Sequence, residues 1–163
     1  MKKALTYISL VLLLVIQTSA GHYIEIFGVI PNITLTFVIL YSLTNSLTKA
    51  SVMGLVGGLL FDSCRVGAFG LNGLLLMYTS LMASYFSSKF YYESKTVTVA
   101  GVFIYTILYK TMFLILTSVL FSQTPFLYTF FRYILVEALW NAIIALPMLI
   151  WVKSLNNEYI RGI

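Results

Sequence analysis

Three polar residues lie deep within the two longest apolar runs of the sequence, and they are the residues best suited to chemistry. Lys110 lies eleven residues before the end of the first run, and Glu137 lies eleven residues after the start of the second. Antiparallel helices with a rise of about 1.5 Å per residue would bring both groups about 16 Å deep into a membrane. An unpaired ionisable group there costs about 2.5–3.5 kcal/mol, so the spacing predicts an ion pair, with Asn141 one turn further completing its hydrogen bonding. Such a pair either clasps two helices or forms a polar site for a ligand, a lipid headgroup or a proton path.

Small residues on one helix face form a second candidate site. Gly54 and Gly58 make a Gly-x-x-x-Gly motif, Gly57 lies beside them, and Ser51 extends the same face by one step. Small residues let two helix backbones approach closely, which replaces the hydrophobic drive that is missing in lipid. The motif therefore predicts an interface for the helix of a partner protein.

The glycine face leads directly into a polar turn. The polar and turn-forming residues of this segment are Asp62, Arg65, Gly67, Gly70 and Gly73. Two interpretations are open at this point. Either Asp62 caps or braces the turn around Arg65, or the segment is a docking or binding surface.

The residue sets that enzymes and metal sites need do not occur at a recognisable spacing. Cys64 is the single cysteine, and the single histidine, His22, lies near Glu25. Intramembrane proteolysis, zinc chemistry and phosphotransfer each need a nucleophile, a base or a ligand set that these residues do not provide. We therefore expect no enzyme activity, no metal site and no cofactor.

The composition indicates that membrane helices carry these residues. The chain has 163 residues, of which 60% are hydrophobic and 9% are charged, and its mean hydropathy is +0.96. Soluble domains have about 25% charged residues, so the cytosolic enzyme classes are excluded. The formal charge of +5 does not indicate a nucleic-acid partner, because the cations lie singly between apolar runs. At about 20 apolar residues per span, the length allows at most about six spans and leaves no room for a soluble domain.

We predict an all-α integral membrane protein with a single polytopic domain over residues 1–163. The predicted spans are about 4–20, 31–47, 50–62, 69–87, 97–121 and 126–152. The first has the zones of a signal peptide, but the apolar remainder of the chain favours an uncleaved helix. The third has only about a dozen apolar residues, roughly 18 Å of helix against a hydrocarbon core of ~30 Å. We therefore predict that the third helix is short or partly re-entrant.

The positions of the cations predict the orientation in the membrane. Alternate loops place most Lys and Arg residues on one side, and only Arg65 lies in a loop on the other side. The residues on the cation-rich side are Lys2, Lys3, Lys49, Lys89, Lys95, Lys153 and Arg161. The positive-inside rule then places both termini in the cytoplasm.

Three segments resemble a known protein family. Residues 54–76, GLVGGLLFDSCRVGAFGLNGLLL, resemble its glycine-rich short helix ending in Leu-x-Asp, followed by Gly-x-x-Gly and an apolar helix. Pro31 and Asn32 before an apolar run resemble its second-helix opening, and residues 137–147 resemble its last helix, where an Asn is followed by a Pro. The chain thus resembles the bacterial rod shape-determining protein MreD over most of its length.

The resemblance implies a non-enzymatic subunit of the cell-elongation machinery in the bacterial inner membrane. Such a subunit binds the bitopic protein MreC directly. It helps to couple MreB filaments to the glycan polymerase RodA and its class B penicillin-binding partner, by direct or indirect contact. On this interpretation the face of Gly54, Gly57 and Gly58 admits the helix of MreC.

The family fold is also similar to the substrate-binding membrane components of energy-coupling-factor transporters, and this similarity provides an alternative function. In that alternative the chain is a small-molecule binder. The turn from Asp62 to Gly73 and the cluster of Lys110, Glu137 and Asn141 would then line a polar cavity. The sequence leaves open whether a lipid or a lipid-linked precursor is bound.

Overall fold

The regular structure of the described residues is helical. The computed structural model describes residues 2–20, 23, 25, 28–64, 69–89, 94–121 and 126–155. The helices are α1 (Lys2–Ala20), α2 (Ile33–Leu43), α3 (Leu47–Ser63), α4 (Leu71–Lys89), α5 (Lys95–Phe121), α6 (Phe126–Thr129) and α7 (Leu135–Leu155), and a π-helical turn, Phe130–Ile134, joins α6 to α7. The last three elements therefore form one continuous rod.

Two helical stretches are long and apolar enough to cross a membrane. They are Lys95–Val119 in α5 and Leu127–Leu155 in the α6–α7 rod. Two shorter apolar stretches, Ala4–Ser19 and Ile33–Leu43, lie in α1 and α2. The all-α class agrees with the sequence prediction, while the number of crossings stays a prediction.

The second helix is the short central element of the fold. It has 11 residues, which is about 16 Å of helix, and it packs against α1, α3, α4, α5 and α7. Phe37, Val38, Ile39 and Leu40 are fully buried on it. A helix that is apolar on all sides is stable only when neighbours cover every face, and here five helices do so.

The third helix is longer than the predicted span over residues 50–62, its partly re-entrant course stays a prediction, and the second helix is the shorter of the two. The helix α3 has 17 residues, about 25 Å, whereas the predicted span over residues 31–47 breaks after Leu43. The break occurs because the Thr44 hydroxyl and the Asn45 amide both donate to the Tyr41 carbonyl, at 3.1 and 2.9 Å. Polar side chains that bond to nearby carbonyls in this way compete with continuation of a helix.

The surface of the described helices is apolar, while hydroxyl and amide groups lie inside. Leu12 on α1, Ile104 on α5 and Ile143 on α7 are each more than half exposed. Inside, Thr34, Ser80 and several other polar residues are fully buried. An extended exposed apolar surface marks a contact with lipid or with other proteins, which agrees with a membrane protein.

Candidate functional site

The ion pair predicted between the last two long helices is present. Lys110 Nζ on α5 lies 2.8 Å from Glu137 Oε2 on α7, and the side chains are 22% and 8% exposed. The second carboxylate oxygen, Glu137 Oε1, is buried without a hydrogen-bond partner among the described residues. Because the effective dielectric constant around such a pair is low, the attraction is much stronger than at a protein surface in water. The pair therefore fixes the register of α5 against α7.

Asn141 does not complete the hydrogen bonding of this pair, so that part of the prediction is wrong. Its Oδ1 accepts a hydrogen bond from the backbone N–H of Asn32 at 2.8 Å. Its Nδ2 donates to Thr106 Oγ1 at 3.5 Å. Asn141 is fully buried, and both of its amide atoms are occupied by groups on other segments. Its structural role is to hold the start of α2 against α5 and α7.

The start of α2 lies inside the protein, where water cannot satisfy its free backbone groups. Gln17 on α1 donates to the Pro31 carbonyl at 2.9 Å and accepts from the Ile33 N–H at 2.8 Å. The Asn32 side chain accepts from the Leu35 N–H at 3.0 Å. Together with Asn141, these amides allow a short helix to begin in the interior.

Asp62 caps the start of α4, while the turn around Arg65 that it was predicted to cap or brace lies outside the described residues. The Asp62 carboxylate accepts from the backbone N–H groups of Gly70 at 2.9 Å and Gly73 at 3.2 Å. It also accepts from Asn72 Nδ2 at 2.7 Å. A carboxylate at a helix N-terminus satisfies free N–H groups and interacts favourably with the helix dipole. Of the other predicted turn residues, Arg65 and Gly67 lie outside the described residues.

The cap extends across the fold to a third helix. The Tyr109 hydroxyl on α5 donates to Asn72 Oδ1, so a chain of hydrogen bonds runs from Asp62 through Asn72 to Tyr109. Gly70 has a φ of +93°, a conformation that glycine adopts without strain. This chain of hydrogen bonds therefore joins α3, α4 and α5 at one level, and its last member, Tyr109, directly precedes Lys110 in the sequence.

The predicted partner-helix interface is already occupied by α4. A Cβ atom at Gly54 would lie 2.6 Å from the Leu76 carbonyl oxygen, and one at Gly58 would lie 2.5 Å from the Gly73 Cα. Gly57 points instead toward side chains of Leu10 and other residues of α1, α2 and α4. All three glycines are buried. The close approach that the motif predicts is real, but the helix that approaches belongs to the same chain.

Ser51, the fourth residue of the predicted interface, is only partly buried. Its hydroxyl donates to the Thr48 carbonyl at 3.0 Å, within α3. Gly54, Gly57 and Gly58 are thus covered by helices of the same chain, because the sequence motif indicates how closely a helix can approach, not which helix does so. The short connection between α3 and α4 gives the intramolecular neighbour the advantage, since it is tethered at the glycine face.

Three residues of these networks, Gln17, Asn72 and Tyr109, were not predicted from the sequence. Two of them have a recognisable feature in the sequence. Gln17 is a single amide side chain inside the first apolar run, and Asn72 is an amide shortly after Gly67 and Gly70. Each of the polar groups in these networks joins two helices. Within the described residues, no group of three or more His, Cys, Asp or Glu could hold a metal ion.

Comparison with known proteins identifies the family. A family model described as rod shape-determining protein MreD matches residues 1–159. The chain belongs to the MreD family. Comparisons with curated proteins and with solved structures give no match. The polar networks described above are thus the interior framework of an MreD-family membrane protein that takes part in determining rod shape.

Proposed function

We propose that this protein is a non-enzymatic subunit of the cell-elongation complex in the bacterial cytoplasmic membrane. In this role it binds MreC directly and helps to couple MreB filaments to RodA and its class B penicillin-binding partner. The observation that carries the proposal is the MreD family match, which covers residues 1–159 of the 163-residue chain.

The use of the polar residues supports a binding role in preference to catalysis. Lys110 and Glu137 pair with each other, Asp62 caps α4, and Asn141 holds the start of α2. Each of these groups is engaged in joining helices, as expected for a scaffold in lipid, where interhelical hydrogen bonds help to drive association.

We further propose six crossings with both termini in the cytoplasm. The long apolar stretches of α5 and the α6–α7 rod support a multi-pass arrangement. The distribution of cations, with Lys49 in the first turn of α3 and Lys89 and Lys153 in the last turns of α4 and α7, supports the orientation.

Affinity purification in mild detergent tests the proposal. The tagged chain is expressed in its own bacterium and the proteins that co-purify are identified by mass spectrometry, with an unrelated multi-pass membrane protein as the control. Enrichment of MreC, with RodA or its transpeptidase, is the expected result. Enrichment of paired ATPases and a coupling subunit would instead support a transporter component, and a pattern equal to the control would refute the proposal.

Site-specific photocrosslinking then identifies the face that MreC contacts. Leu12, Tyr78, Ile104 and Ile143 are 52–57% exposed and lie on α1, α4, α5 and α7 respectively, so one photoreactive residue at each position samples the lipid-facing surface. Val38, which is fully buried, is the control position. We expect a crosslink to MreC from one or two of the exposed positions and none from Val38.

A further inference from the structure

The segment at the start of the last helical rod has an open face. The helix α6 packs against α5 and the adjoining π-turn, and the π-turn packs against α5, α6 and α7. No contact joins α6 or the π-turn to the described parts of α1, α2, α3 or α4. Leu127, Tyr128 and Phe131 are accordingly 57–70% exposed.

This open face contains a groove with one cation. The groove has a volume of about 650 Å³ and is lined by Leu127, Tyr128, Phe131, Arg132 and Val136. Its volume is in the range of small-molecule sites, about 300–1,000 Å³. The walls are aromatic and aliphatic, and the guanidinium of Arg132 supplies the charge.

The π-turn contributes to the shape of the groove. The Leu135 N–H bonds to the Phe130 carbonyl, five residues earlier, so the backbone is wider here than in an α-helix. In a regular α-helix, Phe131 and Val136 would lie about 140° apart around the axis. The wider turn brings these two side chains toward one face. Single π-turns inside α-helices occur frequently at functional sites.

Arg132 has no partner in the described part of the chain. It is exposed, and neither a hydrogen bond nor an ion pair joins it to another described residue. Tyr128, one turn earlier, is held edge-to-face against Tyr133 with ring centroids 6.2 Å apart. An arginine beside a tyrosine thus offers several N–H donors and one O–H donor within an apolar setting.

With the crossings proposed above, on which this step rests, the position along the rod brings this charge near a membrane surface. Arg132 lies six residues after the start of α6, about 9 Å along the helix, and a long cationic side chain can extend toward the headgroups while its stem stays in apolar surroundings. Arginine binds phosphate oxygens through two parallel N–H···O bonds. None of the five groove residues is acidic, so the groove has no carboxylate to receive the ammonium group of a zwitterionic headgroup.

We propose that this groove is a binding site for one acidic phospholipid of the leaflet nearer the α5–α6 connection. The Arg132 guanidinium binds the lipid phosphate, Tyr128 donates to a headgroup oxygen, and an acyl chain lies along Leu127, Phe131 and Val136. The site is separate from the buried networks around Asp62, Glu137 and Asn141.

Native mass spectrometry of the purified, delipidated full chain tests the site. Equimolar phosphatidylglycerol and phosphatidylcholine are added, and the lipid retained per protein is measured. We expect wild-type protein to retain one phosphatidylglycerol preferentially. We expect Arg132→Gln to reduce this retention about fivefold, which corresponds to ~1 kcal/mol for one cation near anionic lipid, and Arg132→Lys to give an intermediate value because it keeps the charge.

Lys89→Gln is the matched control, because Lys89 is an exposed cation at the end of α4 and its replacement removes the same charge outside the groove. Unchanged retention in Lys89→Gln supports the site. Equal retention of the two lipids by wild type, or equal retention of phosphatidylglycerol by wild type and Arg132→Gln, would overturn it. Displacement of the lipid by millimolar inorganic phosphate would also overturn it, because the groove would then be a general anion site. If Arg132→Gln does not fold, Arg132→Lys carries the comparison with Lys89→Gln.

Discussion

Alanine at Gly58 should force α3 away from α4, whereas alanine at the adjacent Gly57 should be tolerated. The new Cβ at Gly58 would lie 2.5 Å from the Gly73 Cα, which is backbone and cannot rotate aside. An ordinary carbon–carbon contact is about 3.5–4.0 Å, so the helices must separate locally by about 1 Å. At Gly57 the nearest atoms are side-chain methyls of Val38, Leu10 and Leu76 at 3.2–3.6 Å, which can shift by a few tenths of an ångström.

These geometries give a difference in stability. Overpacking a close contact costs about 1–3 kcal/mol, and replacing a helical glycine with alanine gains about 1 kcal/mol in helix propensity. Because Gly58 is held against backbone, the steric cost of Gly58→Ala should lie at or above the upper end of that range. After the gain in helix propensity, the net loss of stability is about 2 kcal/mol. Gly57→Ala should lie within about 1 kcal/mol of wild type.

Thermal unfolding of the two purified variants in the same detergent measures this difference. For a chain of this size, 1 kcal/mol corresponds to about 2–4 °C, so Gly58→Ala should melt several degrees below Gly57→Ala. Equal melting temperatures would refute the proposed steric difference. A Gly58→Ala variant with wild-type stability that no longer co-purifies with MreC would show that the glycine face contacts a partner after all.

The polar networks give three further predictions, each measured as a change in unfolding midpoint. Glu137→Ala should destabilise the protein by about 3 kcal/mol, because it leaves Lys110 partly buried and unpaired. Adding Lys110→Ala should restore part of this loss. Equal loss of stability in the single and double variants would argue against coupling of the two residues. Asp62→Ala should lower the stability by about 0.5–2 kcal/mol through loss of the α4 cap. Asp62→Asn should be less harmful, because one acceptor oxygen remains. If the two variants are equally stable, the capping role is contradicted. Asn141→Leu should cost about 1–3 kcal/mol because a buried backbone N–H loses its acceptor, and a neutral effect would show that the N–H finds another partner.

The contacts predicted from the sequence are those whose geometry depends on one short connection. Lys110 and Glu137 flank a single short connection at equal distances in the sequence, so antiparallel packing of the two helices is enough to bring them together. The same holds for Asp62, whose partners Gly70 and Gly73 lie eight and eleven residues away.

The interior of α2 could not be predicted in this way. Its start is satisfied by Gln17 and by Asn141, and Asn141 is 109 residues from its partner Asn32. Such a bond depends on the packing of whole helices against one another, which the spacing along one segment does not determine. The length of α2 was misjudged for a related reason, because the hydroxyl and amide groups of Thr44 and Asn45 turn back onto Tyr41, although the apolar pattern continues to Leu47.

The internal contact of α3 with α4 changes where a partner helix must bind. Gly54 and Gly58 of α3 are covered by α4, Gly57 is covered by side chains of α1, α2 and α4, and α2 is covered on all sides. Neither helix therefore offers a free backbone surface at these positions. A partner that spans the membrane is therefore expected to meet longer apolar side chains of the outer helices, such as Leu12 on α1 or Ile104 on α5. Contacts of that kind have larger interhelical distances than glycine contacts, and their energy comes from side-chain packing. Because this energy is spread over several side chains, each single substitution on these faces should weaken MreC binding only slightly. Loss of binding through one alanine substitution would instead point to a polar or glycine contact outside the described helices.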